Sequence, residues 1–199
     1  ADPIFSKNVG FYVFRLPLYN FLLQWCSVAL FLVIVSVGFS YYLDQAIEVQ
    51  GNRFNFDPKV KTHLVVLGGL FALRMVLSYW LKLYGLMYSN SGVAYGASYA
   101  DVHAQMPAYW VLLILSFLMA ILLFAMPVLK RWKWVVYGIG LYGVVLFGFS
   151  WIYPGLIHQY VVKPNELAKE TPYIKNNIRL TRFAYGFDKA LEEPFPVND

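Results

Sequence analysis

The chain has 199 residues, 59% of them hydrophobic and 14% charged, with a mean hydropathy of +0.53 and a net charge of +5. A water-soluble domain carries about 25% charged residues, so this composition cannot coat a body dissolved in water. No Lys/Arg run is long enough to suggest nucleic acid, and the lone Cys26 excludes an intrachain disulfide or a cysteine-rich metal site.

The first apolar run, Leu16–Leu43, has no charged residue, and Pro17 suits its first turn, where a missing N–H costs nothing. The second, Thr62–Tyr84, is interrupted by Arg74 and closed by Lys82. The third and fourth, Pro107–Leu129 and Trp134–Ile157, are uncharged. A helix rising 1.5 Å per residue needs about 20 such residues to cross ~30 Å of hydrocarbon. In lipid every backbone N–H and C=O must be paired within the segment, which predicts helices despite the many β-branched and aromatic residues. The expected fold is therefore all-α, a polytopic membrane bundle of four spanning helices.

The connecting segments carry an orientation signal. Lys130-Arg131-Trp132-Lys133 joins the third and fourth runs, and Arg53, Lys59 and Lys61 lie between the first and second. Gly85–Met106 has neither Lys nor Arg. The positive-inside rule then makes the two basic connections cytoplasmic and both ends of the chain extracytoplasmic. Tyr84–Tyr109, rich in Tyr, Ser, Gly and Ala, reads as an irregular, partly re-entrant outer loop. In the 158–199 tail, Thr171-Pro172 reads as a helix start and Gly186 as a stop, predicting an amphipathic helix over 172–185, with Glu192–Asp199 extended. The chain opens on Ala1 rather than Met, so either a segment removed upstream or an excerpt of a longer chain is expected.

Several ordered strings carry a resemblance. They are Asp2-Pro3-Ile4-Phe5 and Val9-Gly10-Phe11-Tyr12-Val13-Phe14-Arg15-Leu16-Pro17 near the start. Leu86-Met87-Tyr88-Ser89 and Gly96-Ala97-Ser98-Tyr99-Ala100-Asp101-Val102-His103-Ala104 follow in the middle. Val161-Val162-Lys163-Pro164-Asn165-Glu166-Leu167, Glu170-Thr171-Pro172-Tyr173-Ile174 and Ala184-Tyr185-Gly186-Phe187-Asp188 stand in the tail. Together the chain resembles the bacterial uncharacterised protein family 0182 over nearly its whole length. The resemblance implies the second half of a longer membrane domain, followed by a large extracytoplasmic domain. It brings no activity and no catalytic residue.

The residues themselves offer few candidates for chemistry. Arg74, about mid-bilayer, is the one charge deep in a span, and such a residue suggests function by default. No Asp or Glu lies in any of the four runs, so its partner is expected to be Asp101, a backbone carbonyl, a lipid phosphate or an absent helix. His63, His103 and His158 cannot be layered as a haem or chlorophyll pair. Asp101 and His103 alone do not close a metal site, and ordinary loop hydrogen bonding is expected there. No cofactor or metal is expected. Gly138-Ile139-Gly140-Leu141-Tyr142-Gly143 matches the dinucleotide fingerprint, but inside a span it reads as helix packing, as do the pairs Gly68/Ala72 and Ser36/Ser40. Glu166 and Glu170 read as a solvated, mixed-charge surface. The expected role is a non-catalytic anchor or scaffold, or an accessory subunit of a larger membrane complex. A transporter or lipid-handling role using Arg74 and the 84–109 loop is the alternative, and pigment binding is a weaker one. The expected partners are the bilayer and other membrane subunits or further parts of the same chain.

Overall fold

A computed structural model describes residues 2–44, 47–50 and 53–187. Four long helices dominate: α1 (Leu16–Leu43), α2 (Pro58–Gly85), α3 (Met106–Leu129) and α4 (Lys133–Phe147). With their flanking turns, four helical stretches are long and apolar enough to cross a membrane: Phe11–Leu43, Pro58–Tyr88, Asp101–Leu129 and Lys133–Ala184. A short antiparallel ribbon, Ile47–Gln50 against Arg53–Phe56, bridges α1 and α2. The segment Glu192–Asp199 lies outside the described residues.

Prolines shape the helix starts and bends. Five-residue π turns occupy Phe11–Arg15, Asp101–Gln105, Gly148–Ile152 and His158–Val162, each ending two residues before a proline: Pro17, Pro107, Pro154 and Pro164. In each, the residue before the proline donates its N–H to the carbonyl five positions back: Leu16 to Phe11, Met106 to Asp101, Tyr153 to Gly148 and Lys163 to His158. A proline ring has no N–H and crowds the carbonyl four residues back, and a widened turn absorbs both defects without ending the helix. The helices leading into α1 and α3 accordingly begin about two turns before the uncharged runs do. α2 also starts earlier than its apolar run, at Pro58, because the Asp57 side chain caps it by accepting the Lys59 N–H at 2.9 Å.

The fourth helix corrects the expected tail. The helical stretch continues through α5 (Tyr153–Ile157) and a 3₁₀ turn (Lys163–Asn165), leaves helical dihedrals at Asn165 (φ −145°, ψ 49°), and resumes as α6 (Glu166–Ala184), 52 residues in all. Fifty-two residues are more than twice the ~20 that one crossing needs, and the polar α6 lies beyond the apolar part of the stretch. Thr171 does not start a helix. Its hydroxyl donates to the Leu167 carbonyl from within α6, and Pro172 is interior. The turn ahead of Thr171 is held by tertiary contact, since Glu170 is buried against the start of α3. The predicted stop holds: Gly186 adopts φ +73°, and its N–H reaches the Phe183 carbonyl at 3.2 Å.

The core lies between α2 and α3. Ala72, Ala120 and Leu123 pack with Val65, Met119 and Val135. A second cluster joins Tyr12, Leu16 and Leu81 at one end. The N-terminal loop, the 86–100 segment and α6 all meet at that end. The Tyr12 hydroxyl donates to Asp2 at 2.7 Å, Tyr88 to the Tyr12 carbonyl at 2.6 Å, and Asn177 to the Tyr95 carbonyl at 2.7 Å. The basic connections occupy the opposite end.

Candidate functional site

Arg74 sits sixteen residues into α2 from Pro58 and eleven from Gly85, so roughly 16 Å of helix separates it from the nearer end. Its Nε donates to Ser27 Oγ on α1 at 2.6 Å, and Nη1 lies 3.4 Å from Met75 Sδ. Ser27 in turn donates to the Leu23 carbonyl. Both of these partners of the guanidinium are neutral, and neither is among the partners expected from sequence. Only the hydroxyl's position on an otherwise apolar run could have signalled it. Beside this pair a groove of about 330 Å³ opens between α1 and α2, lined by Tyr19, Leu22, Leu23, Cys26, Leu77, Trp80 and Leu81.

Two turns along α2, the Lys82 ammonium lies 5.2 Å from the Tyr79 ring and 5.9 Å from the Tyr109 ring, distances at which ring quadrupoles attract a cation. Inside the bundle Ser116 donates to the Leu112 carbonyl at 2.7 Å, with the Tyr142 hydroxyl 3.0 Å away. Among the described residues no buried side-chain nitrogen or oxygen lacks a hydrogen-bond partner.

A second polar cluster occupies the end where α6 docks. Ser98 and Asp101 form a reciprocal cap on the helix leading into α3. Ser98 Oγ accepts the Asp101 N–H at 3.2 Å, and Asp101 Oδ2 accepts the Ser98 N–H at 2.9 Å. The same Oδ2 accepts from Ser98 Oγ at 2.8 Å and Ser91 Oγ at 2.9 Å. Glu170 adds the next cap, its carboxylate accepting the Tyr99 N–H at 3.1 Å. Asp101 is 4% exposed and Glu170 3%, which corrects the view of Glu170 as part of a solvated surface. Burial pushes the Glu170 carboxyl upward, the Tyr99 N–H pulls it back, and the Asp101 charge pushes the same way as burial, leaving it above the ordinary value of 4.5. Gly92 is required here, because a Cβ at that position would lie 2.7 Å from Ser98 Cβ.

The histidines separate. His63 Nδ1 is 2.7 Å from the Tyr41 hydroxyl at the basic end. His103 stacks on Tyr99, with centroids 4.1 Å apart, and its Nδ1 lies 3.2 Å from the Tyr99 carbonyl. His158 opens a π turn. Asp101 and His103 therefore engage different partners, and among the described residues no three His, Cys, Asp or Glu side chains gather as a metal site. Of the glycines in the 138–143 string, a Cβ on Gly138 would meet Leu122 at 2.7 Å and Met119 Sδ at 3.2 Å, whereas Gly140 and Gly143 face open space.

Residues 1–199 match the family model described as "Uncharacterised protein family (UPF0182)". A UPF0182 protein of Sulfurovum sp. (strain NBC37-1) is 49% identical over 99% of this chain, and one of Desulforamulus reducens 41% identical over 99%. One of Trichodesmium erythraeum is 38% identical over 98%. The chain spans only about a fifth of their length, 21% of each of the three. No solved structure matches it.

Proposed function

Since the chain belongs to the uncharacterised protein family UPF0182 and spans about a fifth of its curated relatives, we propose that it is a non-catalytic structural module of a larger bacterial membrane protein. In this reading its open helix faces seat further membrane helices, and α6 leads into an extracytoplasmic part. One observation carries it. No residue in the most apolar stretch of Phe11–Leu43 or of Lys133–Ala184 is buried, while the two central helices share a packed core. The bare face of α4 includes Gly140 and Gly143, and glycines let a second backbone approach closely where lipid offers no hydrophobic gain. The basic charge at the 130–133 turn supports placing that end in the cytoplasm and the docked end outside.

The test is made in the full-length protein. Gly140→Leu with Gly143→Leu should shift the solubilised protein from one species on size exclusion to aggregated or dissociated material. The same elution and melting temperature as wild type would mean that this face meets lipid only. Thiol labelling of Cys placed at Lys130 and at Ile174 should mark opposite sides of the membrane.

A second reading, handling of an anionic group at Arg74, draws on the neutral partners of that guanidinium. A half-buried cation held by neutral partners favours an anion. Anion flux into proteoliposomes that falls at least tenfold for Arg74→Gln would support it, and equal flux would end it.

A further inference from the structure

We propose that the α3–α4 turn is a binding site for the headgroup of an acidic glycerophospholipid. Lys130, Arg131, Trp132, Lys133 and Trp134 line one concavity of about 530 Å³. Four features of that concavity suit a phosphodiester. Three cations surround it. Lys130 adopts a left-handed conformation (φ 54°), and its N–H closes the last turn of α3 on the Met126 carbonyl, so the chain reverses within three residues. The opening turn of α4 has no side-chain cap and no acidic residue, which leaves the positive end of a helix dipole turned to this end of the bundle. Trp132 and Trp134 supply indoles, which favour the depth where headgroup meets acyl chain.

The surroundings extend the positive field. Gly68 faces Leu123 and Gly69 faces Phe124 across the α2–α3 contact. That antiparallel register brings Lys59 and Lys61, in the first turn of α2, level with residues 130–133. The acids of the α1–α2 connection are Asp44 at the close of α1, Glu48 in the ribbon and Asp57, engaged in capping α2; Lys59, Lys61 and the three cations of the turn outnumber them. The C-terminus of α3 opposes an anion, and three adjacent full charges outweigh its partial one.

A lipid suits the site better than a free phosphate because apolar surface flanks it. Val128 and Leu129 are 83% and 54% exposed, which offers an acyl chain apolar surface beside the headgroup. Basic pockets between membrane helices take anionic headgroups by the same physics, and each Lys or Arg near the surface contributes comparably.

The experiment uses the full-length protein in mild detergent, titrated with phosphatidylglycerol or phosphatidylcholine and read by native mass spectrometry. Phosphatidylglycerol should be retained at concentrations at least tenfold lower than phosphatidylcholine. Lys130→Gln/Arg131→Gln/Lys133→Gln should weaken phosphatidylglycerol on the order of 100-fold, and Arg131→Gln alone about fivefold, with phosphatidylcholine unchanged in both. The single variant keeps two charges and so guards against a triple variant that inserts wrongly. Equal retention of the two lipids by wild type, or undiminished phosphatidylglycerol binding by Arg131→Gln, would overturn the proposal. Displacement of the lipid by millimolar inorganic phosphate would reassign the site to soluble phosphate and overturn it as a lipid site.

Discussion

Adjacent glycines on α2 should respond oppositely to one added methyl group. A Cβ on Gly69 would lie 2.9 Å from Cε1 and Cζ of Phe124 and 3.1 Å from its Cδ1. Carbon pairs are most stable at 3.5–4.0 Å, so three contacts become repulsive together, and overpacking of this kind costs about 1–3 kcal/mol. Replacing glycine by alanine in a helix returns about 1 kcal/mol, which leaves Gly69→Ala about 0–2 kcal/mol less stable than wild type. A Cβ on Gly68 would meet Leu123 Cδ1 at 3.5 Å, an ordinary contact, so Gly68→Ala keeps the helix gain of up to ~1 kcal/mol. The two variants share depth, helix and chemistry and differ only in what the methyl group meets. Unfolding of the purified full-length protein in mixed micelles of rising SDS fraction measures both. The expected order is Gly68→Ala, wild type, Gly69→Ala. A Phe124→Ala background should abolish the Gly69→Ala penalty, because the ring is its cause. Equal stability of the two alanine variants in the native background would refute the α2–α3 register from which the clash is derived.

Ser27→Ala should cost about 1–2 kcal/mol, since Arg74 Nε loses its hydroxyl acceptor. That cost should vanish in an Arg74→Met background, and an identical loss in both backgrounds would show that the hydroxyl acts elsewhere. Ser98→Ala removes the cap on the helix leading into α3 and should cost about 1 kcal/mol, with faster hydrogen exchange at the amides of Tyr99–Asp101; unchanged protection there would count against the cap. Glu170 has a raised pKa, so its contribution is complete below 4.5 and is lost as pH rises through the folded value. Glu170→Gln should therefore gain stability over wild type at pH 7.5 and gain least at pH 4. Asp2 behaves the other way. Burial raises its pKa, but the N–H groups of Phe5, Lys7 and Ile4 and the Tyr12 hydroxyl lower it further, to below 3.8. Its contribution is present above that value and lost as pH falls through the folded one, so Asp2→Asn should cost more at pH 6 than at pH 3.

The spans were legible in the sequence because exclusion of charge over twenty residues has one physical cause, the absence of water. α1 ends at Leu43 and α3 at Leu129, where their uncharged runs end. The helix starts were less legible. A proline is normally a first-turn signal, and at Pro17 and Pro107 it stands instead after a widened turn that prolongs the helix upstream. Thr171-Pro172 misled for a different reason. Locally it is a good start, but the burial of Glu170 against Tyr99 fixes the turn before it, and that contact spans 71 positions of sequence. Arg74 was visible as a charge among apolar residues. Ser27 was not visible as its partner, because nothing in the local sequence ranks it above Ser36 or Ser40.

The prolines point to a division of labour between the two ends of the bundle. All four π turns lie at or beyond the end where the N-terminal loop and α6 meet, two leading into α1 and α3 and two following α4. Pro127 and Pro172 lie inside α3 and α6 without such a turn, so proline alone does not dictate the widening. Around the docked end, side chains hydrogen-bond repeatedly to backbone. Asp2, Asn8, Tyr88, Ser98, Glu170 and Asn177 each engage a main-chain group there. A widened turn leaves backbone groups poorly paired, and such turns persist at membrane depth only where protein re-satisfies them. The docked end supplies that partner density, whereas the basic end holds its helices with a tight left-handed reversal and presents charge. Irregular backbone and fixed contacts are thus concentrated where α6 leaves the bundle.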